Sequence, residues 1–186
     1  MSLSEVDAVK SLAMSIDGLV YVKSHYLDAS ALVKLVANDN DELPGREVLR
    51  KYYWANTANM YATPYSIAET FGVFKSKWLR KKIDRKDYLK YSDDFATKIL
   101  GTNLRIDTVA PPYAPIVRQE TARLVTGYGI DWVDSFQLVA LKHGQFSTAC
   151  GLSQSIFITG DKGLAKAGRA EGLRVWDCIN ELAPPM

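Results

Sequence analysis

The stretch from Ser24 to Lys34 reads Ser-His-Tyr-Leu-Asp-Ala-Ser-Ala-Leu-Val-Lys, and it decides the fold class. Its first part, roughly Ser24 to Leu27, is a short run that predicts a buried strand ending at Asp28. Its second part, from Ala29 to Leu35, has the pattern of a helix. A strand that passes directly into a helix is the opening of a β-α-β unit, so this stretch predicts an α/β architecture.

The same alternation continues along the chain. Strands are predicted near 61–63, 104–106, 155–159 and 173–176, and helices after Pro44-Gly45, over 65–80, after an N-cap at Asp84, and over 113–126, 131–142 and 161–171. Alternating strands and helices favour a mostly parallel central sheet with helices on both faces, a three-layer α/β/α domain. The common nucleotide-binding versions lack support, because neither GxGxxG nor GxxxxGK[ST] is present.

Length and composition bound the domain organisation and the compartment. A chain of 186 residues suits one domain, and 47% hydrophobic with 24% charged residues is ordinary for a globular protein. Residues 1–22 carry apolar side chains at helical spacing and are predicted to be an N-terminal helical extension, followed by the domain over 23–180 and a tail over 181–186. No membrane span or signal peptide is recognisable, and Cys150 and Cys178 fit neither a zinc site nor a disulfide framework, so a cytoplasmic location is expected.

Two acidic residues follow predicted strands directly. Asp28 follows the first core strand, and Asp161 follows Ile156-Phe157-Ile158-Thr159-Gly160. Ligands of open α/β sheets bind beyond the carboxyl ends of the strands, so both carboxylates are expected at the same rim. Each is equally compatible with a plain N-cap of the helix that follows it.

Two further acids lie in mostly apolar helical segments. Glu69 stands in Ile-Ala-Glu-Thr-Phe, and Asp134 in Trp-Val-Asp-Ser-Phe. Four acids at one rim would repel one another, and a divalent cation bound by hard oxygen ligands, Mg²⁺ or Mn²⁺, would remove that conflict. The alternatives are that Glu69 is a solvated helix residue, and that Asp131 is an N-cap with Asp134 in the first turn of its helix.

Taken together, these segments resemble the PIN-domain family, and in particular its toxin-type, VapC-like members. The resemblance covers about residues 24 to 180 and rests on the order and spacing of four stretches: Tyr26–Lys34, Ser66–Thr70, Asp134–Ala140, and Phe157–Leu164 continuing to Ala170–Leu173. Two features depart from the family pattern. Ser135 stands where a small Ala is usual, and the N-terminal extension and the stretch from Asn38 to Asn59 exceed the compact toxin pattern.

The resemblance implies a Mg²⁺- or Mn²⁺-dependent endoribonuclease, and a toxin of a toxin–antitoxin pair. By position, it assigns Asp28, Glu69, Asp134 and Asp161 as the catalytic, metal-binding acids, with Ser30 and Thr159 supporting them. It further implies RNA as substrate, an antitoxin protein that plugs the acidic site, commonly with an arginine, and a homodimer. The aromatic run Tyr52-Tyr53-Trp54 is compatible with a dimer interface and equally with core packing.

Positive charge for RNA has to come from its distribution, because the net charge is only +2. The predicted RNA-binding residues are Lys34, Lys75, Lys77, Arg80, Lys81 and Lys82, with Trp78 and Tyr88 interleaved as stacking candidates. A solvated helix hairpin explains the same run.

Three other functions stay open. One is a PIN-like nucleic-acid or protein binding module without catalysis, and another is a structure-specific DNA nuclease that uses the same acids. The third, a metal-dependent phosphatase, is weakened because Asp28 is followed by Ala29-Ser30 and no DxDx[TV] motif is present.

Overall fold

The structure, a computed structural model, describes residues 24–107, 114–143 and 155–184, together with the backbone of 13–16 and 19–22. The strands are β1 Ala13–Ile16, β2 Leu19–Val22, β3 His25–Leu27, β4 Met60–Ala62, β5 Arg105–Ile106, β6 Ile156–Thr159 and β7 Val175–Asp177. The α-helices are α1 Ala29–Val36, α2 Arg46–Ala55, α3 Pro64–Leu79, α4 Arg85–Asp94, α5 Pro115–Tyr128, α6 Trp132–His143 and α7 Lys162–Ala170. Short 3₁₀ turns occupy Asn40–Glu42 and Thr57–Asn59, and a π-helical segment, Phe95–Leu100, continues α4.

The central sheet has the strand order β5-β4-β3-β6-β7, and every neighbouring pair is parallel. The chain therefore builds the sheet outward from β3 through β4 to β5, and then returns to the other side of β3 with β6. The reversal lies between β3 and β6, so a crevice opens at the carboxyl ends of these two strands, where such sheets bind their ligands.

Alternate residues of each central strand enter different cores. Leu27 and Ile158 pack in one cluster with side chains of α1 to α4, whereas Tyr26 and Phe157 pack in the other with side chains of α5, α6 and α7. Because side chains alternate across a strand, this division places helices on both faces of the sheet. The predicted three-layer α/β/α fold is confirmed.

The predicted helix starts and ends agree closely with the structure. Asp84 caps α4 through a hydrogen bond from the Asp87 amide, and Gly129 ends α5 in the left-handed conformation. Within the described residues, none of the helices is long and apolar enough to cross a membrane.

The N-terminal prediction needs a correction. Residues 13–16 and 19–22 pair as an antiparallel hairpin, with Ala13 opposite Val22 and Ile16 opposite Leu19, rather than continuing a helix. Two signals favour strands here: Leu19-Val20-Tyr21-Val22 is rich in β-formers, and Asp17-Gly18 is a dipeptide typical of two-residue hairpin connections. Residues 1–12 lie outside the described residues, and the predicted domain boundaries stay predictions.

Candidate metal and active site

Asp28 stands at the centre of the crevice, directly after β3. Its amide donates to the Ile158 carbonyl at 3.0 Å, so the pairing with β6 continues one residue beyond the strand. Its side chain caps α1 by accepting from the Ser30 amide at 3.3 Å. The carboxylate is nearly buried, being only 3% exposed, so its surroundings must compensate its charge.

The two hydroxyls predicted to support Asp28 both reach it. Ser30 Oγ donates to Asp28 Oδ2 at 2.6 Å, and Thr159 Oγ1 donates to the same oxygen at 2.9 Å. Ser30 Oγ also accepts from the Gly160 amide at 2.7 Å, and Thr159 Oγ1 accepts from the Asp161 amide at 2.9 Å. Every hydrogen bond found to this carboxylate among the described residues thus ends on Oδ2, which leaves Oδ1 for another ligand.

Glu69 and Asp134 approach Asp28 from helices that contact each other, α3 and α6. A series of contacts leads from the N-cap of α3 to Glu69. At the cap, Thr63 Oγ1 accepts a hydrogen bond from the Ser66 amide at 3.1 Å. Ser66 Oγ then donates to Gln137 Oε1 at 3.0 Å, and Gln137 Nε2 faces Glu69 Oε2 at 3.4 Å, near the limit for a hydrogen bond. One carboxylate oxygen each of Asp28, Glu69 and Asp134 lies within 4.8 Å of the other two.

The electrostatics of this trio are those of crowded, like-charged groups. Burial, followed by repulsion from Asp28, Asp131 and Asp161, raises the pKa of Glu69 to about 7. Burial, followed by repulsion from the acids around it, raises the pKa of Asp134 to about 8. Carboxylates that resist ionisation for these two reasons are those that a cation in the crevice would stabilise.

The fourth predicted acid, Asp161, lines the same cleft but is engaged differently. Its Oδ1 caps α7 by accepting from the Leu164 amide at 2.7 Å, and it falls outside the trio that can share one ion. Asp131, which sequence reasoning treated as a cap only, accepts from the Asp134 amide at 2.8 Å and also lines the cleft. The capping interpretation of both residues is correct in geometry, and both add negative charge to the site.

The cleft has a volume of about 400 Å³. Five acids line it from α1, α3, α6 and α7 or their caps. A further wall, which the sequence did not suggest, comes from the 3₁₀ turn. The lining residues are Asp28, Ala29, Ser30, Val33, Lys34, Asp41, Glu42, Glu69, Val73, Asp131, Asp134, Asp161 and Ile179.

Two lysines predicted to contact RNA are instead buried in ion pairs with the 3₁₀ turn. Lys34 is 3% exposed and pairs with Glu42 at 2.9 Å. Lys77 is 9% exposed and pairs with Asp39 at 2.7 Å and with Glu42 at 2.8 Å. Both ammonium groups are held in ion pairs, and their contact with RNA stays a prediction. The acidic partners follow in the loop at 38–43, and only the tertiary fold brings Lys77 to them.

The remaining predicted RNA-binding residues are exposed. Lys75, Arg80, Lys81 and Lys82 lie near the end of α3 and just after it, and Lys82 comes within 3.9 Å of Asp41. The nearby Trp78 and Tyr88 rings stack on each other, with centroids 5.2 Å apart and 7° between their planes, and so pack α3 against α4. That Lys75, Arg80, Lys81 and Lys82 contact RNA stays a prediction.

The donor set fits Mg²⁺ or Mn²⁺. Both prefer carboxylate oxygens, and Mg²⁺ in particular is bound by few carboxylates while keeping several waters. Among the described residues, no lysine or arginine forms an ion pair with Asp28, Glu69 or Asp134, since Lys34, the lysine that lines the cleft, pairs with Glu42 instead. The charge of the trio is therefore left uncompensated by the chain itself.

The aromatic run suggested for a dimer interface is mostly interior. Tyr52 is 3% exposed and Tyr53 is fully buried, whereas Trp54 is 53% exposed. Tyr52 hydrogen-bonds to His25 Nε2 at 2.9 Å and packs on Trp176. Core packing is thus the right interpretation of the two tyrosines, and homodimerisation stays a prediction.

Comparisons with known proteins bear on the fold. The chain matches no protein-family model and no curated protein sequence. Among solved structures, PAE2754 from Pyrobaculum aerophilum superposes with a TM-score of 0.51 at 16% identity, covering 82% of this chain and 83% of that one. VapC20 from Mycobacterium tuberculosis, a toxin described as cleaving the sarcin-ricin loop, superposes with a TM-score of 0.50 at 15% identity, covering 78% of this chain and 95% of that one. At these identities the likeness shows a shared fold alone, and it agrees with the PIN-like α/β/α fold that the sequence resemblance implied.

Proposed function

We propose that this protein is a metal-dependent endoribonuclease that hydrolyses RNA phosphodiester bonds with Mg²⁺ or Mn²⁺. The observation that carries the proposal is the trio Asp28, Glu69 and Asp134, whose oxygens converge within 4.8 Å at the switch point of the sheet. Three uncompensated carboxylates in one cleft are typical of a divalent-cation site. The fold shared with VapC20, an RNA-cleaving toxin, supports RNA as the substrate class.

The residues of the site have two roles in the proposal, as metal ligands and as side chains that hold those ligands in place. Asp28 offers Oδ1, while Ser30 and Thr159 hold its Oδ2 in place, and Glu69 and Asp134 complete the ligand set. A bound cation would lower the pKa of a water ligand, so that hydroxide forms near neutral pH, and would stabilise charge on the cleaved phosphodiester.

Two residues tune this ligand set. Gln137 Nε2 lies 3.4 Å from Glu69 Oε2 and would orient it through this long contact, leaving Oε1 to bind the ion or to accept a proton from water. Asp161 faces the same cleft from the end of β6 and adds to its negative potential, and a role for it in binding a second ion is part of the proposal.

An inhibitory protein partner belongs to the same proposal. A toxin of this fold needs an antitoxin, and an arginine of such a partner would neutralise the cleft with the charge that the chain does not supply. A small gene immediately upstream, whose product binds this protein and blocks cleavage, would support the toxin assignment.

The decisive experiment is cleavage of a mixed RNA pool with Mn²⁺, with Mg²⁺ and with EDTA. Asp28→Asn and Asp134→Asn are run beside the wild type, and Asp107→Asn is the matched control. Asp107 also follows a strand, but it is fully buried, accepts a hydrogen bond from Tyr26 at 2.8 Å and lies outside the cleft.

We expect metal-dependent cleavage that both cleft variants lose and the control retains. Cleavage that survives Asp28→Asn and Asp134→Asn would sink the assignment of the site. Cleavage of a DNA flap, with RNA left intact, would move the protein to the DNA nucleases. Binding of RNA without cleavage in either metal would favour a binding module.

A further inference from the structure

Three aromatic side chains pack on one another where α3 and α6 begin, the two helices that carry Glu69 and Asp134. The rings of Tyr65 and Phe136 are nearly parallel, with centroids 5.2 Å apart and 17° between their planes. Trp132 extends this pair, with its centroid 5.9 Å from that of Phe136 and its plane tilted by 51°. The stack joins the start of α3 to the start of α6.

The position of the stack follows from the helices that carry it. Trp132 stands between two cleft acids in sequence, directly after Asp131 and two residues before Asp134. Tyr65 lies four residues before Glu69 on α3, and residues four apart on a helix are neighbours on one face. None of the three rings lines the cleft itself, but all three lie near the N-terminal ends of the two helices that carry Glu69 and Asp134.

The stack is closed at one end and open at the other. Tyr65 and Phe136 are partly buried between their helices, whereas Trp132 is 48% exposed. The inner rings hold the indole in place, so a planar partner that stacks on it would meet a surface already ordered. By contrast, Trp78 lies nine residues beyond Glu69 on α3 and is stacked on Tyr88.

We propose that Trp132 is the stacking site for an unpaired nucleobase of single-stranded RNA, a subsite beside the phosphodiester that enters the cleft. The proposal rests on the proposed function, because it takes RNA as the substrate. A cleft lined by acids repels the sugar-phosphate chain and offers bases no partner, so affinity has to come from outside it. Aromatic rings supply binding affinity for bases without sequence preference, because every base has a π-face on which a ring can stack.

The test measures binding separately from cleavage. All proteins carry Asp28→Asn, so that RNA is bound and left intact, and binding of two octamers is followed by fluorescence anisotropy with Mn²⁺ present. One octamer is octaadenylate, and the other has the same ribose-phosphate chain without bases. Trp132→Ala and Trp132→Tyr are compared with the parent and with Trp54→Ala, a matched control because Trp54 is 53% exposed on α2, which contributes nothing to the cleft.

We expect Trp132→Ala to weaken binding of octaadenylate at least about fivefold, the lower end for loss of one base–aromatic stack. Binding of the abasic octamer should not change, Trp132→Tyr should retain most of the affinity, and Trp54→Ala should match the parent. Equal losses for both octamers, or no loss for either, would overturn the stacking site. A parent dimer in analytical ultracentrifugation that Trp132→Ala dissociates would also overturn it, by assigning the indole to a protein interface.

The result stands apart from that of the nuclease test. A protein that cleaves RNA but binds both octamers alike keeps its proposed function and loses only the stacking site. Base-dependent binding through Trp132 by a protein that never cleaves RNA leaves the subsite in place and removes the nuclease.

Discussion

The strongest quantitative consequence of the acidic trio is a pH-dependent loss of stability in the metal-free protein. The pKa of Asp134 is raised from 3.8 to about 8. A carboxyl group whose pKa is raised by folding contributes full stability below its unfolded pKa, and that stability is lost as pH rises through the folded pKa. Metal-free protein should therefore become less stable between about pH 4 and pH 8, and Asp134→Asn should remove the part of that loss that Asp134 contributes.

The magnitude follows from the same shift. Between about pH 5 and about pH 8 the linkage slope of ~1.36 kcal/mol per pH unit gives ~4 kcal/mol. Asp134 is only partly buried, so solvent screening reduces this to ~2 kcal/mol. For a domain of this size, ~2 kcal/mol corresponds to ~4–8 °C in Tm.

The assay is thermal unfolding in EDTA at about pH 5 and about pH 9, for the wild type, Asp134→Asn and Glu47→Gln. Glu47 is a matched control, because its side chain is 76% exposed in a surface ion pair. The wild type and the control should lose ~4–8 °C more than Asp134→Asn, and Mn²⁺ at the higher pH should restore both of them but not Asp134→Asn. Equal falls in Tm for all three proteins would refute the idea that the three carboxylates repel one another and that a bound cation relieves this repulsion.

Two further predictions concern the support of the site. Ser30→Ala removes the 2.6 Å hydrogen bond to Asp28 Oδ2 and should weaken Mn²⁺ binding ~10–100-fold in isothermal titration calorimetry; an unchanged affinity would mean that the hydroxyl does not position the ligand. Gly45→Ala should destabilise far more than Gly172→Ala in urea titrations. Both glycines have positive φ, which alone costs ~1–2 kcal/mol, but a Cβ at Gly45 would lie 1.9 Å from the Cys178 carbonyl oxygen, whereas Gly172 faces open space. Equal losses would contradict that close approach.

The fold was predictable because local pattern and global architecture agree along the core of the chain. The strand ending at Asp28 and the helix capped by Asp84 both lie within a residue or two of the predicted positions. The pairing of 13–16 with 19–22 is not predicted, because a helical spacing of apolar residues upstream is extended across a run of β-forming residues. Period alone did not separate the two structures there.

The acids show where sequence reasoning needs the strand order. Four strands close on an aspartate: Asp28, Asp107, Asp161 and Asp177. Only Asp28 and Asp161 line the cleft, because β3 and β6 flank the reversal of the sheet. Asp107 pairs with Tyr26, and Asp177 accepts from Ile179 and Asn180 in the turn that follows it. The motif at each strand end is the same, and topology alone decides which acid meets a ligand.

The lysines show the complementary limit, since a sequence displays charge but not its partner. Lys34 lies six residues after Asp28 and was placed near the site correctly, but Glu42 takes its ammonium group. Lys77 is paired with Asp39, 38 positions away in sequence. A basic run therefore overestimates the positive charge that is free to meet RNA, and its exposed members are Lys75, Arg80, Lys81 and Lys82.

This division of charge has a consequence for how the proposed substrate binds. The two buried lysines neutralise the 3₁₀ turn instead of the trio, so the cleft stays strongly negative until a cation enters. A phosphodiester carries the same sign as the empty cleft and would be repelled by it. Cation and RNA should therefore bind with positive coupling, each raising the affinity for the other by the same factor, because linkage between two binding equilibria is reciprocal. On this argument, metal-free protein fails first at holding the phosphodiester, while a base stacked on Trp132 still has its surface outside the cleft.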